Sequence, residues 1–310
     1  MLDNEDQSRR ERGDHDGAEL AGSVRRAGWD QIPGWPRDAA GFATWPAPGQ
    51  TSTLVLNAAR WALVVSALDR WADIGDTTEA AVAHAQALHP QVWTIGRVRR
   101  GAAHEVLLTS AEHASLVVIG SRGHARMAGL LPGSVGLSVA AYTPCPLLVV
   151  RGEHDPSRVV DGGTEGLVVV GVDGAECRPA LEAAYEEAQL RHLRVCALNA
   201  LPPVTPTPIG LPAPAPESLA AASALRRGAL DAWTAEPRAK HPEIESQVRL
   251  VREGAGHALV EASREADLVV LAAHRRTARF GTRLGRVSHT VLRHAHAPVL
   301  LVPVLLVPVD

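Results

Sequence analysis

Aromatic residues are scarce in this chain. They make up 4% of 310 residues, as seven tryptophans, two tyrosines and two phenylalanines. So few rings disfavour a platform on which nucleic-acid bases stack. Neither charge sign is in excess: 31 basic residues meet 34 acidic ones, for a net charge of −3. Bulk electrostatics therefore gives no pull toward nucleic acid or an acidic membrane surface. Cysteine is rarer still. Cys145, Cys177 and Cys196 form no CxxC pair, and three thiols cannot all pair within one chain, so a reducing, cytoplasmic setting is expected. No uninterrupted apolar run reaches the ~18 residues of a membrane span. The opening stretch MLDNEDQSRRERGDHDGAEL is charged throughout, and without an apolar h-region no secretory signal is expected there. The phosphate loops GxxxxGK[ST] and GxGxxG are missing. No Ser-His-Asp or paired-carboxylate set has supporting context, so no catalytic residue is assigned and the chain is expected not to be an enzyme.

What the chain does have is a repeat. ASLVVIGSRGHARMAGLLPGSVGLSVAAYTPCPLLVV (114–150) aligns without a gap with ADLVVLAAHRRTARFGTRLGRVSHTVLRHAHAPVLLV (266–302). Leu116, Val117, Val118, Gly129, Gly133, Val135, Val139, Pro146, Leu148 and Val150 all recur at an offset of 152. With hydrophobic residues at 46% and charged at 21%, this is a globular composition, and the length suits about two domains. Repetition at this length makes them related units in tandem.

Short, continuous, β-branched runs such as LVVIG and PLLVV read as strands buried on both faces. In the second half they alternate with helical stretches. Strands are expected over 166–174, 193–201, 246–253, 267–273 and 298–304. Helices are expected over 178–192, 218–236, 255–266 and 283–295. That alternation predicts an α/β fold: two tandem, doubly wound, five-stranded parallel sheets. The first half matches from about Thr77 onward. Stepping back 152 residues from GLVVVGVDG lands on DHDGAELAG, which is no buried strand. Residues 1–73 also hold five of the seven tryptophans. Within them, 52–71 suits a strand or a helix, in a register unlike the second half. Two readings stay open. The opening is divergent, disordered or replaced; or it is translated from a shifted frame of GC-rich DNA. The expected boundaries are an atypical segment 1–73, a first domain 74–151, a linker 152–165 and a second domain 166–310. The Pro-rich stretch 201–217 reads as a solvated lid or linker.

One segment, IGSRGHARMAGLLPGSV (119–135), carries chemistry. Gly120 and Gly123 follow an apolar strand, and Gly133-Ser134 opens an apolar helix. A loop at the carboxyl end of a strand in an open α/β sheet sits where ligands bind. Glycines let backbone N–H groups come close to a phosphate or ribose. Ser134, at the cap or in the first turn, offers a hydroxyl and the positive helix end. Arg122 and Arg126 add charge. The plainer alternative is that these glycines only make tight turns and Ser134 only caps its helix; the full spacing at the end of the fourth strand favours a ligand. A GxxG loop also occurs in KH domains, but there it joins two helices.

Taken together, these segments resemble the universal stress protein (UspA) family in its tandem form, over roughly 77–150 and 166–304. The family's nucleotide-binding members carry G-x2-G-x9-G-[S/T], which Gly120, Gly123, Gly133 and Ser134 match. VVVGVDG (168–174) resembles the family's first strand and places Asp173 at its nucleoside contact. The resemblance implies an adenine nucleotide alpha hydrolase-like fold. It also implies ATP, alone or with Mg2+, held by Ile119 and Gly120 near the ribose and by Arg122, Gly123, Gly133, Ser134 and Val135 at the phosphates. Fifth strands pair across a two-fold in the family, so a pseudo-dimer of the two domains, or a homodimer, is implied. No nucleic-acid or membrane partner is implied.

The second copy departs from that pattern. Ala272 stands at the place of Gly120, Arg275 at that of Gly123 and Arg286 at that of Ser134; Gly285 remains opposite Gly133. The first copy keeps the loop and lacks the VxVGVDG strand. The leading expectation is a cytoplasmic stress-response sensor that binds ATP in its first domain. A scaffold of the same fold without nucleotide is the alternative, and a slow ATPase ranks last. His289, His294 and His296 read as solvated surface rather than metal ligands. Cys145, before Pro146, reads as a buried structural thiol.

Overall fold

The computed structural model describes residues 52–57, 61–66, 74–88, 90, 93–99, 101–112, 114–120, 134–150, 166–203, 215–275 and 284–305. Ten strands form one sheet in the order β3-β2-β1-β4-β5-β10-β9-β6-β7-β8. The first unit supplies β1 (Ser52–Asn57), β2 (Trp61–Ser66), β3 (Trp93–Val98), β4 (Leu116–Gly120) and β5 (Leu147–Val150). Its helices are α1 (Ile74–Leu88), α2 (Ala103–Ala111) and α3 (Ser134–Tyr142). The second unit supplies β6 (Leu167–Gly171), β7 (Arg194–Leu201), β8 (Ser246–Arg252), β9 (Leu268–Arg275) and β10 (Val299–Leu305). Its helices are α4 (Arg178–Arg191), α5 (Pro216–Lys240), α6 (Ala255–Ala262) and α7 (Arg286–His294).

The second unit is the doubly wound parallel sheet that the sequence predicts. β10, β9, β6, β7 and β8 are parallel at every pairing. The first unit has the same strand order, and β2 with β3 and β4 with β5 are likewise parallel. It departs from the expected all-parallel sheet at β1, which runs antiparallel to both β2 and β4. Chain length explains the reversal. A parallel crossover needs a dozen residues or more. Residues 172–193 separate β6 from β7 and hold α4, whereas residues 58–60 alone separate β1 from β2. Three residues can join only antiparallel neighbours. The stretch 52–71, readable as strand or helix, thus supplies two strands. From Ile74 onward the offset of 152 returns: α3 and α7 begin and end at equivalent positions, as do α1 and α5 at their C-terminal ends.

The two half-sheets join through β5 and β10, which run antiparallel with Leu148 opposite Leu300. These are equivalent residues of the repeat, so a local two-fold passes through that pair. The apolar strands β5 and β10, each the edge of its own five-stranded unit, therefore cover each other at the centre of the sheet. Up to Leu305 the tail continues β10; residues 306–310 lie outside the described residues.

Alternation along the strands builds two cores. Leu116, Val118, Leu148, Val150, Val168, Val170, Leu268, Val270, Leu300 and Val302 face one side, against Ala81 of α1, the Ala180–Ala188 stripe of α4 and Leu230 of α5. Val117, Ile119, Leu147, Val149, Val169, Val269, Leu271, Val299 and Leu301 face the other, against α2, α3, α6 and α7. Each core runs across both units.

Candidate functional site

Open α/β sheets bind ligands at the carboxyl ends of their strands, and each unit has such an edge. In the first, Ile119 and Gly120 end β4, and α3 begins at Ser134. Ile119 is buried and Val135 packs partly buried against the same core. Arg122, Gly123 and Gly133 lie outside the described residues. The stretch between that strand end and that helix start, 121–133, lies outside the described residues.

In the second unit the equivalent region is built differently. β9 does not stop at Ala272: Ala273, His274 and Arg275 continue the ladder opposite Pro303, Val304 and Leu305. Arg275, at the place of Gly123, is a strand residue with a strand partner. Gly285 caps α7 in an extended conformation, φ −61 and ψ 152, with no side-chain cap, and a Cβ there would meet nothing within 4 Å. Arg286 follows, exposed at the first helical position.

Asp173 sits exposed just past β6. Its Oδ1 accepts a hydrogen bond from the Cys177 thiol at 2.9 Å, and its carbonyl accepts one from Arg226 at 3.3 Å. Burial pushes the Cys177 thiol up to about 12, and the Asp173 carboxylate adds to the rise. Beside it, Asn199 of β7 is buried and donates from Nδ2 to the Val172 carbonyl at 2.5 Å. That bond fixes the amide orientation and leaves Oδ1 buried without a hydrogen bond. Asp173 is thus set between two donors on the chain itself.

The two edges cannot form one site. β5 and β10 are antiparallel, so the carboxyl ends of the two units point opposite ways. Gly120 and Asp173 also stand on strands separated by β5, β10 and β9.

The chain matches the family model described as the universal stress protein family over residues 47–151 and 167–303. It belongs to the universal stress protein family. Among curated relatives, universal stress protein Rv2623 of Mycobacterium tuberculosis H37Rv is 31% identical over 202 residues, which are 64% of this chain and 65% of that protein. Universal stress protein Rv2005c of the same strain is 31% identical over 193 residues, 62% of each chain. The matched parts thus span just under two thirds of these relatives. Among solved structures, a universal stress protein from Archaeoglobus fulgidus DSM 4304 superposes with a TM-score of 0.52 at 17% identity, over 75% of this chain and 76% of that one. The protein PA1789 of Pseudomonas aeruginosa PAO1 gives 0.54 at 16%, over 77% and 81%. At such identities these two speak for the fold alone.

Within this universal stress protein the sequence placed Asp173 at its strand end and Ser134 at its helix start. It missed the partners of Asp173. Cys177 stands four residues on, one helical turn, and Asn199 is a lone amide in the apolar strand LRVCALNAL, so both carried a faint signal. Arg226 arrives from a helix 53 residues away and carried none. No helix among the described residues is long and apolar enough to cross a membrane. No group of three His, Cys, Asp or Glu residues placed to hold a metal occurs among them either.

Proposed function

We propose that this universal stress protein binds ATP at the first unit's carboxyl edge, as a cytoplasmic stress-response sensor rather than a turnover catalyst. The observation that carries the reading is the G-x2-G-x9-G-S spacing of Gly120, Gly123, Gly133 and Ser134, together with the placement of its two ends at the close of β4 and the start of α3. Backbone N–H groups of such a loop and the positive helix end suit a triphosphate. Ile119 and Gly120 take the ribose side; Arg122, Gly123, Gly133, Ser134 and Val135 take the phosphates. Mg2+ would enter with the nucleotide. We assign no general base, so hydrolysis is slow or absent. The β5–β10 ladder acts as an intrachain pseudo-dimer interface. Titration with ATP, on wild type and on Gly123→Arg, tests the site. The variant copies the second unit and should abolish binding; retained affinity would sink the assignment.

A scaffold reading is favoured by a different observation: the second unit has Arg275 in its ladder and Arg286 on its helix start, where a phosphate loop needs small residues. It predicts no nucleotide in either unit, and the same titration on wild type separates the two.

A further inference from the structure

α5 carries an extension that its counterpart in the first unit lacks. At the offset of 152, α1 begins at Ile74, the equivalent of Arg226, and ends at Leu88, the equivalent of Lys240. Residues 64–66, at the place of 216–218, belong to β2. The part of the fold that both units share therefore asks for a helix over 226–240, and residues 216–225 are added to it.

Burial divides α5 near the same point. Leu219, Ser223, Arg226, Leu230, Thr234 and Pro237 follow one another at steps of three and four, so they line one face. Leu230, Thr234 and Pro237 are buried, and Leu230 lies in one core with Tyr185 and Val195. Before Leu230 that face is only half-buried. None of residues 216–229 is buried, and Leu225 is 79% exposed. The helix starts without a side-chain cap, and Gly228 interrupts it at the divide. A Cβ on Gly228 would meet nothing within 4 Å, so packing does not demand the glycine, and it weakens the helix relative to alanine. Two arginines hold the outer half. Arg226 donates to the Asp173 carbonyl, just past β6, at 3.3 Å. Arg252, the last residue of β8, donates to Ser223 Oγ at 2.7 Å and to the Leu219 carbonyl at 3.4 Å. β6 and β8 flank β7. The outer half is therefore tied down on both sides of the strand that carries Asn199, at the edge where open α/β sheets take ligands.

We propose that residues 216–227 form a strap over the carboxyl edge of the second unit, hinged at Gly228 and clasped by Arg226 and Arg252, which opens while the rest of α5 stays docked. The strap needs no nucleotide in either unit and stands apart from ATP binding by the first. A segment with few buried contacts and exposed polar bonds opens at far lower cost than the core. About a dozen residues freed from both clasps are too few to persist as an isolated helix, so opening gives their amides to solvent. It also withdraws Arg226 from Asp173 and uncovers the chain just past β6.

Hydrogen exchange read by mass spectrometry on the full chain tests this, with wild type, Arg226→Met, Arg252→Met, the double variant and Gly228→Ala. Methionine keeps an apolar stem and removes the donors. In wild type, peptides from 216–227 should exchange at least about tenfold faster than peptides from 230–240. Each Met variant should speed exchange of the strap about threefold, and the pair about tenfold. Exchange over 172–177 should rise with it, while 230–240 and β9 keep their wild-type rates. Gly228→Ala should slow the strap about threefold. The proposal is overturned if strap and anchored half exchange alike in wild type, or if either the double variant or Gly228→Ala leaves the strap's rate unchanged. Equal acceleration over the strap, the anchored half and β8 would mean general destabilisation and would overturn the hinge. A faster strap with 172–177 unmoved would overturn its role as a cover for the edge.

Discussion

Truncating the pair at the local two-fold should weaken both units at once. Leu148 and Leu300 face each other across β5 and β10, are 6% and 2% exposed, and lie in one core with Leu116, Val118, Val150 and Val302. Leu→Ala in such a core costs about 3 kcal/mol, from lost transfer energy plus the cavity left behind. Because the two side chains share a row, the second truncation removes contacts that the first has already lost. The double variant should then cost about 4–5 kcal/mol rather than about 6. At about 2–3 °C per kcal/mol for a chain of this size, each single change lowers the melting temperature by about 6–9 °C. Hydrogen exchange followed by mass spectrometry is the sharper assay. Leu148→Ala should lower protection in peptides from β9 and β10 as well as β4 and β5, and Leu300→Ala should do the converse. Loss confined to the mutated unit, with strictly additive costs, would refute the shared core.

Two further predictions come from buried polar groups of the second unit. Arg191 pairs with Glu187 one turn earlier on α4, with side chains 13% and 6% exposed; burial lowers the guanidinium to about 10, and Asp267 opposes the fall. Arg191→Met leaves Glu187 buried without its cation and should cost about 3–5 kcal/mol in urea denaturation, whereas Glu187→Leu/Arg191→Met should recover most of it; equal losses would contradict the pairing. The three cysteines are buried and form no disulfide. A raised folded pKa means that the thiol form persists as pH rises, so at pH 8 Cys177, at about 12, is about 10⁴-fold short of thiolate. A disulfide-exchange reagent should therefore leave it unlabelled in the native protein and label it in guanidinium; fast native labelling mapped to Cys177 would contradict its burial.

From Ile74 on, most of the fold was legible because strand and helix announce themselves by different means. Runs such as LVVIG and LVVVG must be buried on both faces, and the 152-residue offset transfers each assignment from one unit to the other. The opening was illegible for the same reason. STLVLNAARWALVVS lacks a copy to compare with, and its short apolar runs suit strand or helix equally. Only the three-residue connection between Asn57 and Trp61, visible once both strands are located, shows that β1 must be reversed. A run of apolar residues such as PLLVVR or PVLLVPV does not by itself say what pairs with it; the family resemblance, not the run, pointed to fifth strands that pair. At the candidate sites, Ser134 and Asp173 could be placed by local spacing. The bond from Arg226 to Asp173 and the register that sets Thr53 opposite Ile119 depend on contacts between distant segments.

The most direct test of the central claim is the nucleotide content and ATP affinity of the full chain. The protein is purified and denatured, the released nucleotide is identified, and the emptied protein is titrated with ATP by calorimetry. The account predicts about one adenine nucleotide per chain, or saturable ATP binding at that ratio, lost in Gly123→Arg. A wild-type chain that releases no nucleotide and gives no heat with ATP would contradict it, and would leave the fold as a scaffold.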